Sequence, residues 1–185
     1  MVKKKVTIIV DGKKYEATYI GKGQYSKVYR VGDRVVMYTK GDCAKEVLSM
    51  HLYEHITHLP ELIRHENITT RPGIHWYVFS SPFYRDVTTK DKSAYKLMKD
   101  IVNCYNEIYY KYWRMGYKGV DLMKMFIMGM DEYKYFPRSV IKALDILVEN
   151  AGNCGYNDVI FDIHKKNFGV NDYGTLIFRD LVAIK

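Results

Sequence analysis

The segment Phe161-Asp162-Ile163-His164-Lys165-Lys166-Asn167 is followed thirteen positions after Asn167 by a second aspartate, Asp180. An aspartate, an asparagine five residues on, and an aspartate beyond a short hairpin are residue types that phosphoryl transfer uses. One carboxylate orients or deprotonates an attacking hydroxyl, while an amide oxygen and a second carboxylate hold a divalent metal against phosphate oxygens. Asn171, Asp172 and Gly174 supply a turn that would fold Asp180 back beside Asp162.

A second segment, Ile20-Gly21-Lys22-Gly23-Gln24-Tyr25-Ser26-Lys27-Val28-Tyr29, is glycine-rich and flanked by strand-forming residues. Glycines there let backbone N–H groups approach phosphates closely. The two segments together resemble the protein kinase superfamily. Its catalytic loop reads D-x-x-x-x-N, its D-F-G aspartate lies a short hairpin further on, and its glycine-rich loop reads G-x-G-x-x-G-x-V. Asp162, Asn167 and Asp180 match those positions in interval; Gly21, Gly23 and Val28 match the glycine loop, with Ser26 at its third glycine. His164 stands where many protein kinases carry lysine and small-molecule kinases of the superfamily often carry histidine. The runs FDIHKKNFGV and IFRDLVAI are similar to the early host-shutoff Ser/Thr protein kinases of short-tailed lytic phages.

That resemblance implies a truncated, two-lobed α+β kinase-like fold with ATP and Mg²⁺ as cofactors and a host protein as substrate or target in the host cytoplasm. It makes Asp162 the base, with His164 beside it in the catalytic loop, and makes Asn167 and Asp180 the metal ligands. Gly21, Gly23, Ser26 and Val28 would cover the nucleotide.

Three features depart from the family pattern. The phosphate-holding lysine falls on Met37 or Tyr38, neither of which carries a charge at neutral pH. Lys40 is the nearest substitute, with Glu46 as its expected partner. The D-F-G motif reads Asp180-Leu181-Val182, and no activation segment follows within the sequence. Two further readings therefore stand beside a protein kinase: a kinase-fold protein that binds and inhibits a host protein without phosphotransfer, and a small-molecule kinase.

The surrounding elements must position these residues. Val6–Val10, Asp11-Gly12 and Tyr15–Ile20 read as a hairpin; Lys27–Val31, Gly32-Asp33 and Arg34–Thr39 read as another. A helix is expected over Ala44–His55 and a strand over Ile74–Ser80, stopped by Pro82. Met98, Ile101, Val102, Tyr105, Ile108, Tyr109 and Tyr112 form one helical stripe, and Val140, Ile141, Leu144, Leu147 and Val148 another. The expected division is a sheet lobe with one helix over residues 1–81 and a helical lobe with the catalytic loop and hairpin over 82–185, hinged near Ser81–Arg85.

Composition narrows the classes. No apolar run approaches the roughly 20 residues of a membrane helix. Cys43, Cys104 and Cys154 form no C-x-x-C pair, so neither a zinc site nor a disulfide framework is indicated. The net charge of +8 suits polyanions, but only Lys3–Lys5 form a basic run, which does not favour a dedicated nucleic-acid binder. The 18 tyrosines read as packing residues at helix faces. His51, His55 and His58 would share a face if the first helix extended through them, a spacing compatible with metal, but no cysteine or carboxylate completes the set, which favours exposed or packed histidines.

Overall fold

Asp11 and Gly12 both take positive φ, +48° and +72°, the backbone that a two-residue hairpin with right-handed strand twist requires. They join β1 (Lys5–Val10) to β2 (Lys13–Lys22); β3 (Ser26–Val31) and β4 (Arg34–Thr39) follow through the Gly32 turn. The computed structural model describes residues 4–22, 26–40, 43–50, 56–70, 73–132, 136–153 and 159–184. The chain is of mixed α+β class and divides into two units. One is Met1–Glu54 with Glu61–Phe83, the other His55–Pro60 with Tyr84–Lys185. Residues 55–60, which the sequence reading leaves in the first part, thus group with the second.

The first unit is an antiparallel six-stranded sheet completed by β5 (Ile63–Thr70) and β6 (Ile74–Pro82), in the order β1-β2-β3-β4-β6-β5. β6 runs through Pro82, its last residue, where a missing N–H costs least. β5 was not foreseen. Its residues are mostly polar because it is an edge strand with a register shift between His65 and Ile68. The helix α1 (Cys43–Met50) begins close to its expected start; residues 51–55, with His51 and His55, lie outside the described residues.

This sheet curls until its two edge strands meet. Asp11 accepts hydrogen bonds from the Glu66 N–H at 2.9 Å and from His65 Nδ1 at 2.6 Å. His65 Nε2 lies 2.8 Å from Ser80 Oγ, which also accepts from Arg34 at 3.2 Å. Asp, His and Ser in series are the types that activate a serine nucleophile, but Ser80 is 3% exposed, so no substrate reaches it. The series is a clasp. Inside the curl, Ile8, Val10, Ala17, Val36 and Val78 form a core. Tyr38 crosses it to donate from its hydroxyl to the Ile9 carbonyl at 2.5 Å.

The second unit runs from α2 (Lys92–Cys104) through a π-helical turn (Tyr105–Tyr109) into α3 (Tyr110–Arg114), followed by α4 (Gly119–Glu132) and α5 (Arg138–Asn153). The π turn, and α4 with its Met-rich buried face, were not anticipated. Two small antiparallel pairs complete the unit: β7 (Val159–Phe161) with β10 (Val182–Ile184), and β8 (Phe168–Val170) with β9 (Leu176–Phe178). Among the described residues, no helix is long and apolar enough to cross a membrane. The Cys104 thiol is pushed up to about 11, chiefly by burial, and is a packing group.

His58 is not on a helix. It takes φ +78° in a turn and is buried against β9. Its carbonyl accepts from the Phe178 N–H at 2.7 Å, its Nδ1–H donates to the Leu176 carbonyl at 2.7 Å, and its ring stacks on Phe178. Nε2 is then left to accept from the Ser139 hydroxyl at 3.1 Å. Both nitrogens are committed within the fold, which removes His58 as a metal ligand.

Two outcomes follow from these contacts. The Glu66 N–H, and then His65, hold the Asp11 carboxyl below its usual 3.8, so the clasp stabilises the sheet above that pH and is lost as acid protonates Asp11. Asp11→Asn, which tolerates the same backbone, should cost about 1 kcal/mol in a neutral-pH denaturant melt and flatten the acid limb; an unchanged midpoint would show that the clasp carries no stability. Burial lowers the His58 pKa from 6.5, only partly opposed by its bond to Leu176. As pH falls below about 6.5 the unfolded chain takes up a proton that the folded one resists, and stability declines. Denaturant melts at about pH 7.5 and 5.5 should show this decline in the wild type and less of it in His58→Gln.

Candidate functional site

The central segment leaves β7 at Phe161, whose carbonyl accepts from the Tyr105 hydroxyl at 2.6 Å. Burial raises the Tyr105 pKa most, with Tyr109 and the charge of Asp162 adding to it, so the phenol stays protonated and keeps that bond. The next residue, Asp162, donates its N–H to the Leu181 carbonyl at 2.8 Å, continuing the β7–β10 pairing by one step. A 3₁₀ turn at Lys165–Asn167 follows, closed by the Asn167 N–H on the His164 carbonyl at 2.9 Å.

The turn delivers the Asn167 side chain onto Asp162. Its Nδ2 donates to the Asp162 carbonyl at 2.8 Å and to Asp162 Oδ2 at 2.9 Å. Both amide hydrogens are used, and the Asn167 Oδ1 has no hydrogen-bond partner among the described residues. His164 accepts from the Lys166 N–H at Nδ1 (3.2 Å), which leaves the ring proton on Nε2, 3.4 Å from Asp162 Oδ2. The Asp162 and His164 side chains are 46% and 49% exposed.

Asp180 is reached from both sides. Arg179, just before it, donates its N–H to the Asn167 carbonyl at 2.8 Å; Leu181, just after it, accepts from Asp162. One exposed aspartate thus sits between backbone bonds to the other two candidates, on chain segments about 5 Å apart. Within the second unit the structure brings the side chains of Asp162, His164 and Asn167 together and sets the backbone of Asp180 beside them. Among the described residues no three His, Cys, Asp or Glu side chains cluster as a metal site. The candidate metal donors are instead the Asn167 amide oxygen and the Asp180 carboxylate, hard oxygens of the kind Mg²⁺ takes.

Arg179 was not foreseen as part of the site. Its guanidinium donates to the carbonyls of Tyr84 (3.2 Å) and Lys166 (2.8 Å) and to Asp86 (2.9 Å), tying the Lys165–Asn167 turn to the segment around Tyr84. Gly169 makes the passage possible, since a Cβ there would lie 2.8 Å from Tyr84 Cβ and 2.9 Å from Arg179 Cδ. The signal available in the sequence was an arginine preceding Asp180 in an otherwise apolar strand pair.

The first-unit candidates form a separate group. Gly21 pairs with Val28 just after a bulge, Ser26 pairs with Thr39, and Gly23 lies outside the described residues. Cross-strand pairing puts Val28, Met37 and Phe79 on one face of the sheet, and Lys27, Tyr38 and Val78 on the other. Of the two positions considered for the missing lysine, Met37 is therefore the one beside Val28; Tyr38 belongs to the core. Lys40 is not joined to Glu46. Its ammonium lies 5.4 Å from the Trp76 ring centroid, and that of Lys27 lies 5.1 Å from the same centroid, while Glu46 pairs with Arg64.

Compared with known families and curated proteins, the chain matches no family model and no curated sequence.

Gly169→Ala should displace Arg179 and loosen the loop that carries Asn167, at a cost of roughly 1–3 kcal/mol in a denaturant melt. Amide chemical shifts of Lys166, Asn167 and Arg179 should move together. A melt and shifts like those of the wild type would show that Arg179 does not hold the loop.

Proposed function

We propose that the chain is a minimal kinase of the phage protein-kinase type, with its phosphoryl-transfer site at Asp162, Asn167 and Asp180. The observation that carries this reading is the Asn167 amide. Its donors are both spent on Asp162, which holds the carboxylate in place and leaves Oδ1 for a cation.

Asp162 has a second carboxylate oxygen, Oδ1, for a substrate hydroxyl of Ser or Thr. The hydroxyl proton passes to Asp162 as its oxygen bonds to the γ-phosphorus of ATP. The bond from that phosphorus to the bridging oxygen breaks, and ADP leaves with the electron pair. His164 directs its Nε2–H toward Asp162 Oδ2 at 3.4 Å and orients that carboxylate. A divalent metal held by Asn167 Oδ1 and Asp180 supplies charge neutralisation at the phosphate oxygens when bound. Gly21, Ser26 and Val28 belong to the proposed phosphate cover.

A second reading, a kinase-fold protein that binds a host protein without transferring phosphate, is favoured by Met37. The residue beside Val28 on β4 has no charge for the α- and β-phosphates, and Lys40 is on the opposite face with Lys27.

Titration calorimetry with Mg²⁺ and ATP separates the two. The kinase reading expects weak, metal-dependent binding that Asp180→Asn abolishes. Met37→Lys should tighten it by about 10- to 150-fold, the worth of one charge-assisted contact of roughly 1.5–3 kcal/mol. Labelled phosphate should appear on Ser or Thr of host-lysate proteins and vanish with Asp162→Asn. Absence of metal-dependent ATP binding in both wild type and Met37→Lys would refute the kinase reading and leave the binding protein.

A further inference from the structure

Two local irregularities of the second unit meet at one spot. The π turn at Tyr105–Tyr109 interrupts the α2–α3 path, and Gly129 lies inside α4, where glycine weakens a helix. They touch: a Cβ on Gly129 would lie 2.8 Å from Ile108 Cγ2. Beside this close approach is an open cavity of about 300 Å³ lined by Glu107, Ile108, Lys111, Tyr112, Gly129 and Glu132. Departures from regular helix that converge on a cavity mark a place shaped for something other than packing.

The lining specifies the ligand. Ile108 and Gly129 are buried and make an apolar floor, while Glu107 and Glu132 are exposed carboxylates. Neither glutamate is in an ion pair among the described residues, although Lys111 lies four positions from Glu107 on the same helical path. The Lys111 ammonium sits instead 5.7 Å from the Tyr112 ring centroid. Two carboxylates against one ammonium disfavour an anion. An apolar floor takes a short aliphatic stem, and a planar cation with forked donors can engage two carboxylates at once. A volume near 300 Å³ is at the small end of ligand sites.

We propose that this cavity binds an alkylguanidinium group, with the alkyl stem over Ile108 and Gly129 and the guanidinium between Glu107 and Glu132. The group is that of an arginine side chain or of a small guanidino compound. The site is distinct from Asp162, Asn167 and Asp180 and does not depend on their chemistry.

The full chain, labelled at isoleucine δ1 methyls, is titrated with n-butylguanidinium chloride at constant ionic strength. Neutral n-butylurea serves as the shape-matched control. The Ile108 methyl should shift saturably with the cation and not with the urea. Glu107→Gln/Glu132→Gln should weaken the binding roughly tenfold while the remaining methyl signals stay in place. A shift that does not saturate, an equal response to n-butylurea, or full affinity in the double variant would overturn the proposal. A capped Gly-Arg-Gly peptide separates the sources. Tighter binding than n-butylguanidinium indicates a protein side chain, and weaker binding a free small molecule.

Discussion

The bond pair from the Asn167 amide to Asp162 is the constraint on which the candidate site depends. Without it, an aspartate about half exposed on a loop would sample several rotamers. With it, both the carbonyl and one carboxylate oxygen of Asp162 are tied to a side chain five residues away. The tie also determines the orientation of the amide. Since both donors face Asp162, the oxygen is the part of Asn167 left for other chemistry. The turn between the two residues is short enough to make this geometry local, which is why a five-residue interval carries so much information.

The rest of the second unit supports that pair. Backbone bonds from Asp162 to Leu181 and from Arg179 to Asn167 bracket Asp180. Tyr105 grips the Phe161 carbonyl from the π turn, and Arg179 reaches across Gly169 to the Lys166 carbonyl. These contacts come from three separate stretches of chain. His58 adds a fourth, held on β9 by backbone, imidazole and ring stacking together. A buried neutral imidazole suits this role because it offers one donor and one acceptor in fixed directions.

In the first unit the equivalent constraint is the curl of the sheet. Asp11 joins the two edge strands, so the sheet has an interior and an exterior, and strand alternation assigns every side chain to one or the other. This assignment separates Met37 from Tyr38. It also takes Lys27 and Lys40 to the Trp76 side, away from Val28. That neither Lys27 nor Lys40 lies on the Val28 face is therefore a consequence of register, one that a count of nearby lysines would miss.

The sequence by itself determined what local chemistry determines. Asp11-Gly12 and Gly32 specified their turns through backbone conformation, β-branched runs specified β1, β3 and β4, and the apolar stripes specified α2 and α5. The interval from Asp162 to Asn167, with the Asn171–Gly174 turn, was enough to propose Asp180 as their neighbour. Elements whose pattern is set by partners were not legible. β5 is polar because it lies at an edge, α4 is apolar on much of its circumference because it is packed on several sides, and the π turn leaves the helical stripe almost unchanged. His58 is packed, the favoured reading, but not on a helix: 3.6-residue periodicity assumes a helix, and His58 lies in a turn at positive φ. Only the tertiary structure decided which face Met37 shares, which partner Glu46 takes, and that Arg179 passes over Gly169. Each of these depends on atoms brought close from distant parts of the chain, and spacing along one strand or helix carries no record of them.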